Sequence, residues 1–276
     1  MKEFPMKLLM CTDGSPNSIQ IADLIVKLNF KAETQITLLG VSERKNDIDQ
    51  IELSLNQIDQ FLHSKYSINK KLRHGNPIEE IITEVLEGKY DLVAVGAGEK
   101  QLGLLNPRLG STTSKLARKL NTHFLVARNV PQSLNNVLFC TGAEAPASKT
   151  MTLGGEWISK TNVHIGLLHV LPQADNKPVS ETKTVKAALI GNEKQDTILS
   201  QASQQLRTVG VKNDIVPRIR QGLVVEEISS ELIEGTYDLL VVGAHYQPDQ
   251  DRWQGTLLDD ITDQLLHRCT CSVLII

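Results

Sequence analysis

Short apolar runs alternate with stretches of helical spacing along the whole chain. Residues 8–12 form an apolar run that ends in Asp13-Gly14-Ser15-Pro16, predicting a strand, a turn and a helix start. A helix is expected over about 17–28, with Ile19, Ala22, Ile25 and Val26 inward, and a second strand over 35–41. Ile51, Leu55, Ile58 and Leu62 mark a helix over 51–65, and 67–72 reads as a third strand. Pro77 suits the first position of the next helix, where its missing N–H costs nothing. Ile78, Ile81, Ile82 and Val85 follow at helical spacing, and Gly88 is the expected C-cap. A continuous apolar strand over 90–95, a helix over 111–120 and a last strand over 122–127 complete the pattern.

The pattern then repeats. Residues 75–97, GNPIEEIITEVLEGKYDLVAVGA, return at 222–244 as GLVVEEISSELIEGTYDLLVVGA, at a constant offset of 147. That period is too long for a solenoid unit and suits a duplicated domain. KLLMCTDG at 7–14 matches NVLFCTGA at 136–143, and 110–128 matches 255–275 loosely, at offsets of 129 and 145. The polar segment PQSLNN at 131–136 is a natural joint, dividing the chain into domains 1–131 and 132–276. The second half repeats the element order from a strand at Asn136, with helices from Ser148 and over 194–209, and a polar crossover at 172–186. Alternating βα units with continuous apolar strands argue for an α/β fold, a parallel sheet covered on both faces.

Composition narrows the function. The chain is 41% hydrophobic and 22% charged, as globular proteins are, and no apolar run approaches the ~20 residues that span a bilayer. No signal-like segment opens the chain. Only four cysteines occur, two of them, Cys11 and Cys140, repeat-equivalent inside apolar runs, which fits a reducing compartment, so the cytoplasm is the expected location. Residues 1–131 carry 17 Lys and Arg against 15 Asp and Glu, and residues 132–276 carry 12 against 17. Neither half is basic enough for a nucleic-acid surface, and aromatic residues for base stacking are scarce.

Ligands of such sheets bind at the carboxyl ends of the strands. The most suggestive loop is GAGEKQLGLLNPRLGST at 96–112, which opens a helix. Glycines let backbone N–H groups approach a phosphate, the helix start adds free donors, and Ser111, Thr112, Lys100 and Arg108 add hydroxyls and charge. The loop is neither a dinucleotide fingerprint, with Gln101 where glycine is needed, nor a Walker A loop. Asp13 reads equally as a ribose-hydroxyl acceptor and as a helix cap. No Ser/His/Asp or Cys/His spacing stands out; His63 and His74 read as surface or core residues, and Cys269 and Cys271 as structural.

Strand-Asp-Gly-Ser, then Gly-x-Pro-x-x-x-Ile before a helix, then Tyr-Asp-Leu-Val-x-Val-Gly and a late Gly-Ser together resemble the universal stress protein family. The match covers both halves, so the whole chain resembles a tandem member. The resemblance implies two doubly wound, five-stranded parallel sheets of order 3-2-1-4-5. It also implies ATP, with Mg2+, bound through an Asp after strand one, a residue after strand two and Gly-x2-Gly-x9-Gly-Ser/Thr after strand four. Carried over, these positions are Thr12 and Asp13, Val41 for adenine, and Gly96, Gly98, Gly110, Ser111 and Thr112. Here the loop departs from the motif, since the second glycine position holds Lys100 and the loop is one residue longer. In the second half Gly142 replaces Asp13, and the loop AHYQPDQDRWQ holds Asp249, Asp251, Arg252 and Trp253 and no interior glycine. The expectation is an asymmetric stress regulator: nucleotide in the first domain, a degenerate site in the second, and an unknown protein partner.

Two other readings stand beside it: an interaction scaffold without nucleotide, and a small-molecule carrier using the second pocket. No residue of the loop is an obvious general base, so catalysis beyond slow ATP hydrolysis is not expected. The apolar last strands, 122–127 and 271–276, would be aggregation-prone edges if left open. Family members pair these strands across a dimer, which implies an internal pseudo-dimer here and leaves a further homodimer open.

Overall fold

The structure is a computed structural model of the chain, and it describes residues 5–15, 17–98, 109–142, 146–172, 193–244 and 258–276. The first half runs β1 (Lys7–Thr12), α1 (Ser18–Leu28), β2 (Gln35–Ser42), α2 (Ile48–Leu62), β3 (Ser67–His74), α3 (Pro77–Gly88), β4 (Leu92–Gly96), α4 (Ser111–Lys119) and β5 (His123–Ala127). The second half repeats it as β6 (Asn136–Thr141), α5 (Pro146–Lys149), α6 (Gly155–Ile158), β7 (His164–Pro172), α7 (Glu193–Thr208), β8 (Ile215–Gly222), α8 (Val224–Glu234), β9 (Leu239–Val242), α9 (Asp260–Arg268) and β10 (Ser272–Ile275). The helix expected from Ser148 is broken: a π-helical turn, Thr150–Gly154, separates α5 from α6.

One ten-stranded sheet results, in the order β3-β2-β1-β4-β5-β10-β9-β6-β7-β8. Each half has the expected 3-2-1-4-5 order, with parallel pairing throughout. The exception is the junction, where β5 and β10 run antiparallel with Leu125 opposite Leu274, flanked by Val126–Val273 and Phe124–Ile275. A local two-fold therefore passes through the Leu125–Leu274 pair. The open last strands satisfy each other, as the edge argument requires.

On each face one apolar cluster runs through both halves, under α1, α2, α6 and α7 on one side and α3, α4, α8 and α9 on the other. In α1 the inner face is Ile21, Ala22, Leu24, Ile25 and Leu28, whereas Ile19, expected inward, is 40% exposed. Side chains bridge the junction on both faces. Trp157 of α6 meets Phe30 and His123 edge-on, at centroid distances of 6.0 and 5.5 Å, and Lys31 pairs with Glu156 at 2.8 Å. Burial, reinforced by the Lys149 charge, pushes His123 down to about 4, so the imidazole is neutral at the seam. On the other face Arg118 of α4 grips both carboxylate oxygens of Asp263 of α9, at 2.8 and 2.6 Å.

The repeated sequence motif has a physical basis. Pro77 does open α3, with Asn76 as N-cap accepting from the Ile78 N–H. Gly88, however, is not the left-handed cap; Lys89 takes that position at φ 52°. Gly88 is required because a Cβ there would lie 2.2 Å from the Tyr90 ring, and Gly235 stands to Tyr237 in the same way at 2.1 Å. Those tyrosines reach a carboxylate with no exposed surface in one half and little in the other. Glu84 accepts from Tyr90 and Lys71, each at 2.6 Å, and from Arg73 at 2.7 Å. Glu231 accepts from Tyr237 at 3.1 Å, Arg218 at 2.9 Å and Arg220 at 2.7 Å. Both clusters fasten an outer strand, β3 or β8, to the helix beside it. Burial by itself would raise the Glu84 pKa, but hydrogen bonds from Lys71, Tyr90 and Arg73 outweigh it and hold the group below its usual value.

Two outcomes follow for stability. Glu84→Ala should destabilise the fold by about 2 kcal/mol, less than a fully buried pair because Lys71 and Arg73 keep solvent access. Because the folded carboxyl is depressed, its contribution is present above its unfolded pKa and is lost as pH falls through the folded one. Urea midpoints between pH 7 and 3 should thus fall more steeply for the wild type than for Glu84→Ala. Gly88→Ala should cost about 1–3 kcal/mol despite alanine's better helix propensity, and most of that cost should vanish in a Tyr90→Ala background.

Candidate functional site

The sheet opens a crevice where strand order reverses. The β1–β4 ladder stops at Met10 opposite Ala94, two residues short of Thr12 and Gly96, so the strands part at their carboxyl ends. β1 also ends opposite Gly40 of β2, one residue before Val41. The Val41 side chain is buried in the cluster under α3 and α4, so only its main chain could meet a ligand.

The turn after β1 is held from beneath by a buried hydroxyl cluster. Thr12 Oγ1 accepts from the Gly14 N–H at 3.0 Å, donates to Ser18 Oγ at 2.7 Å, and lies 3.2 Å from Ser54 Oγ of α2. Asp13 stays exposed at the rim, its Oδ1 accepting from the Ser15 N–H at 2.9 Å. It is not the N-cap of α1; Asn17 holds that position without a side-chain bond.

Across the crevice the loop after β4 begins and ends in a stitched neck. Gly110 N–H donates to the Ala97 carbonyl at 2.8 Å, and Thr113 Oγ1 donates to the Gly96 carbonyl at 2.9 Å. Gly98 adopts φ +62°, and a Cβ on Gly110 would lie 2.5 Å from the Gly98 carbonyl oxygen. Both glycines are thus set by backbone contact at the mouth of the site. Gly110 is the N-cap of α4 and provides no side-chain cap; the first turn, Ser111-Thr112-Thr113-Ser114, contains no acidic residue. Ser111 is exposed and Thr112 half-buried. The structure therefore brings Thr12, Asp13, Val41, Gly96, Gly98, Gly110, Ser111 and Thr112 to one end of the sheet. Lys100 and Arg108 lie outside the described residues.

In the second half, Thr262 Oγ1 donates to the Gly243 carbonyl at 3.3 Å, repeating the Thr113–Gly96 contact. The structural counterparts of Gly110-Ser111 are therefore Asp259-Asp260, at an offset of 149, not the Gly255-Thr256 that the looser sequence match suggested. Gly142 does stand at the Asp13 position, while Asp249, Asp251, Arg252, Trp253 and Gly255-Thr256 lie outside the described residues. Sequence spacing gave no hint of His169, which is buried at the carboxyl end of β7 with Nδ1 2.9 Å from the Thr141 carbonyl.

The model of the universal stress protein family matches residues 6–128 and again 134–276. The chain belongs to this family. Similar solved structures include a universal stress protein from Archaeoglobus fulgidus, 16% identical, covering 98% of this chain and 97% of that one at a TM-score of 0.68. A putative universal stress protein from Pseudomonas aeruginosa is 14% identical over 99% of this chain and 93% of that one, at 0.66. A universal stress protein in complex with cAMP is 19% identical over 45% of this chain and 98% of that one, at 0.36. No curated protein matches the chain.

His63 and His74 are exposed, and His63 Nδ1 lies 3.0 Å from the Asp59 carbonyl. Among the described residues no group of three or more His, Cys, Asp and Glu could hold a metal ion, and no helix is long and apolar enough to cross a membrane. The four cysteines are unpaired. Burial pushes all four thiols up, Cys271 to about 12. Iodoacetamide at pH 8 should leave all four unmodified in the folded protein for hours and alkylate all four in urea, as mass spectrometry would show.

Proposed function

We propose that this universal stress protein binds ATP, accompanied by Mg2+, in its first domain (1–131) and regulates a protein partner through that binding. One observation carries the reading: the helix start facing the crevice is uncapped, free of carboxylates and rich in hydroxyls. A helix N-terminus without a side-chain cap presents free N–H donors and the positive end of the dipole to an anion. Gly98 and Gly110 keep backbone at the mouth of that seat, with no side chain to shield it. Ser111 and Thr112 hydroxyls would add donors to phosphate oxygens. Asp13 at the rim suits a ribose hydroxyl, and the main chain of Val41 suits the edge of a base. When bound, ATP would supply a triphosphate beside Gly98 and Gly110, and so change the surface shown to a partner.

The second domain (132–276) is read as degenerate toward nucleotide, because Gly142 removes the rim carboxylate. Four unpaired thiols support a reducing, cytoplasmic setting.

Native mass spectrometry with Mg-ATP tests the reading. One ATP per chain is expected, with affinity falling at least about tenfold in Asp13→Ala, the loss of one charge-assisted hydrogen bond. Gly110→Val should abolish binding by forcing Gly98 aside. No bound ATP at millimolar nucleotide would favour the scaffold instead.

A further inference from the structure

The two halves present the same helix start to the same crevice with opposite chemistry. In α4 the N-cap is Gly110, and the first turn is four hydroxyl residues without a carboxylate. In α9 the N-cap is Asp259, followed by Asp260 and, one turn along, Asp263. Asp259 Oδ1 accepts from the Thr262 N–H at 2.9 Å, and its Oδ2 accepts from Thr262 Oγ1 at 2.8 Å. The threonines correspond, because Thr113 and Thr262 each donate to the glycine carbonyl ending the fourth strand segment of their half. A donor left for a ligand in α4 is thus bonded to the chain's own carboxylate in α9. Asp263 is held below the usual carboxylate range by the Arg118 guanidinium and stays ionised beside that turn.

We propose that Asp259 is the residue that closes the second half to phosphate, its carboxylate standing in for the anion that the first half takes from solution. The proposal rests on the nucleotide reading of the first half and goes beyond it by naming what sets the stoichiometry. A phosphate approaching α9 would have to displace Asp259 from Thr262 and then lie beside the Asp260 charge. Like charges that close repel strongly near a protein surface, and the positive end of the helix dipole already faces the protein's own carboxylate. The loss of a rim carboxylate at Gly142 concerns the sugar; Asp259 concerns the phosphate itself. The first half cannot be closed the same way without rearrangement, because any side chain on Gly110 meets the Gly98 carbonyl.

The test uses the full chain and inorganic tripolyphosphate, which probes the anion seat without ribose or base. Amide 15N–1H signals of residues 111–113 and 260–262 report on the two helix starts separately. In the wild type the α4 signals should titrate, and those of α9 should stay unmoved to at least about tenfold higher concentration. In Asp259→Gly combined with Asp260→Ser, the α9 signals should titrate within about threefold of the α4 midpoint. Asp259→Asn keeps a capping side chain without its charge, so it guards against simple unfolding, and should show a smaller gain at α9. Wild-type α9 signals moving together with those of α4 would overturn the proposal. So would α9 signals as inert in the folded variants as in the wild type. Failure of the first-half reading is seen separately, as α4 signals that never move.

Discussion

Everything in this molecule hangs on one strand pairing. Five parallel strands in 3-2-1-4-5 order leave β5 as an apolar edge, and the duplication leaves β10 as another. Joined antiparallel through Leu125 and Leu274, they remove both edges and turn two sheets into one. The pairing also brings α4 beside α9 and α1 beside α6, so that Arg118–Asp263 and Trp157–Phe30–His123 close the two faces of the junction. The outer strands that remain, β3 and β8, are blunted by charge, and β8 carries Pro217 as well. The clusters on Glu84 and Glu231 then tie those polar strands back to α3 and α8.

Duplication explains why those clusters are so alike and the crevices so different. Glu84 and Glu231, Arg73 and Arg220, Tyr90 and Tyr237, and Gly88 and Gly235 are each set by contacts within their own half. Each partner lost leaves a buried carboxylate with fewer compensating bonds. The helix start at the crevice has no such internal constraint. It can face a ligand, as at Gly110, or satisfy itself, as at Asp259, and the fold persists in either state.

Asp13 shows how position converts an ordinary residue into a candidate ligand group. Among the described residues its carboxylate accepts the 2.9 Å bond from Ser15 N–H and a longer one from Ser18 Oγ, 3.5 Å away. Thr12, Ser18 and Ser54 do the structural work beneath it, which leaves the carboxylate exposed at the rim. The arrangement separates holding the turn from presenting the charge.

Much of this was legible in the chain itself. Period and alternation follow from local chemistry, so the repeat, the strand–helix order, the Pro77 helix start and the apolar last strands could all be read from residue patterns, while the pairing of those strands was implied by the family resemblance. The Glu84 cluster was visible only as letters shared by two copies. That those letters meant a buried carboxylate depended on which way α3 faces the sheet. Gly88 was legible as a helix end but not in its reason, since the Tyr90 ring above it is a contact made by folding back. The match of Gly110 to Asp259 was hidden because loops of different length shift the offset, and only the shared threonine–glycine hydrogen bond reveals it. Sequence alone determined the elements and their duplication, because these rest on periodicity and on residues close along the chain. Tertiary structure alone decided which groups face one another across the crevice and the seam, because those distances join residues that no local pattern connects.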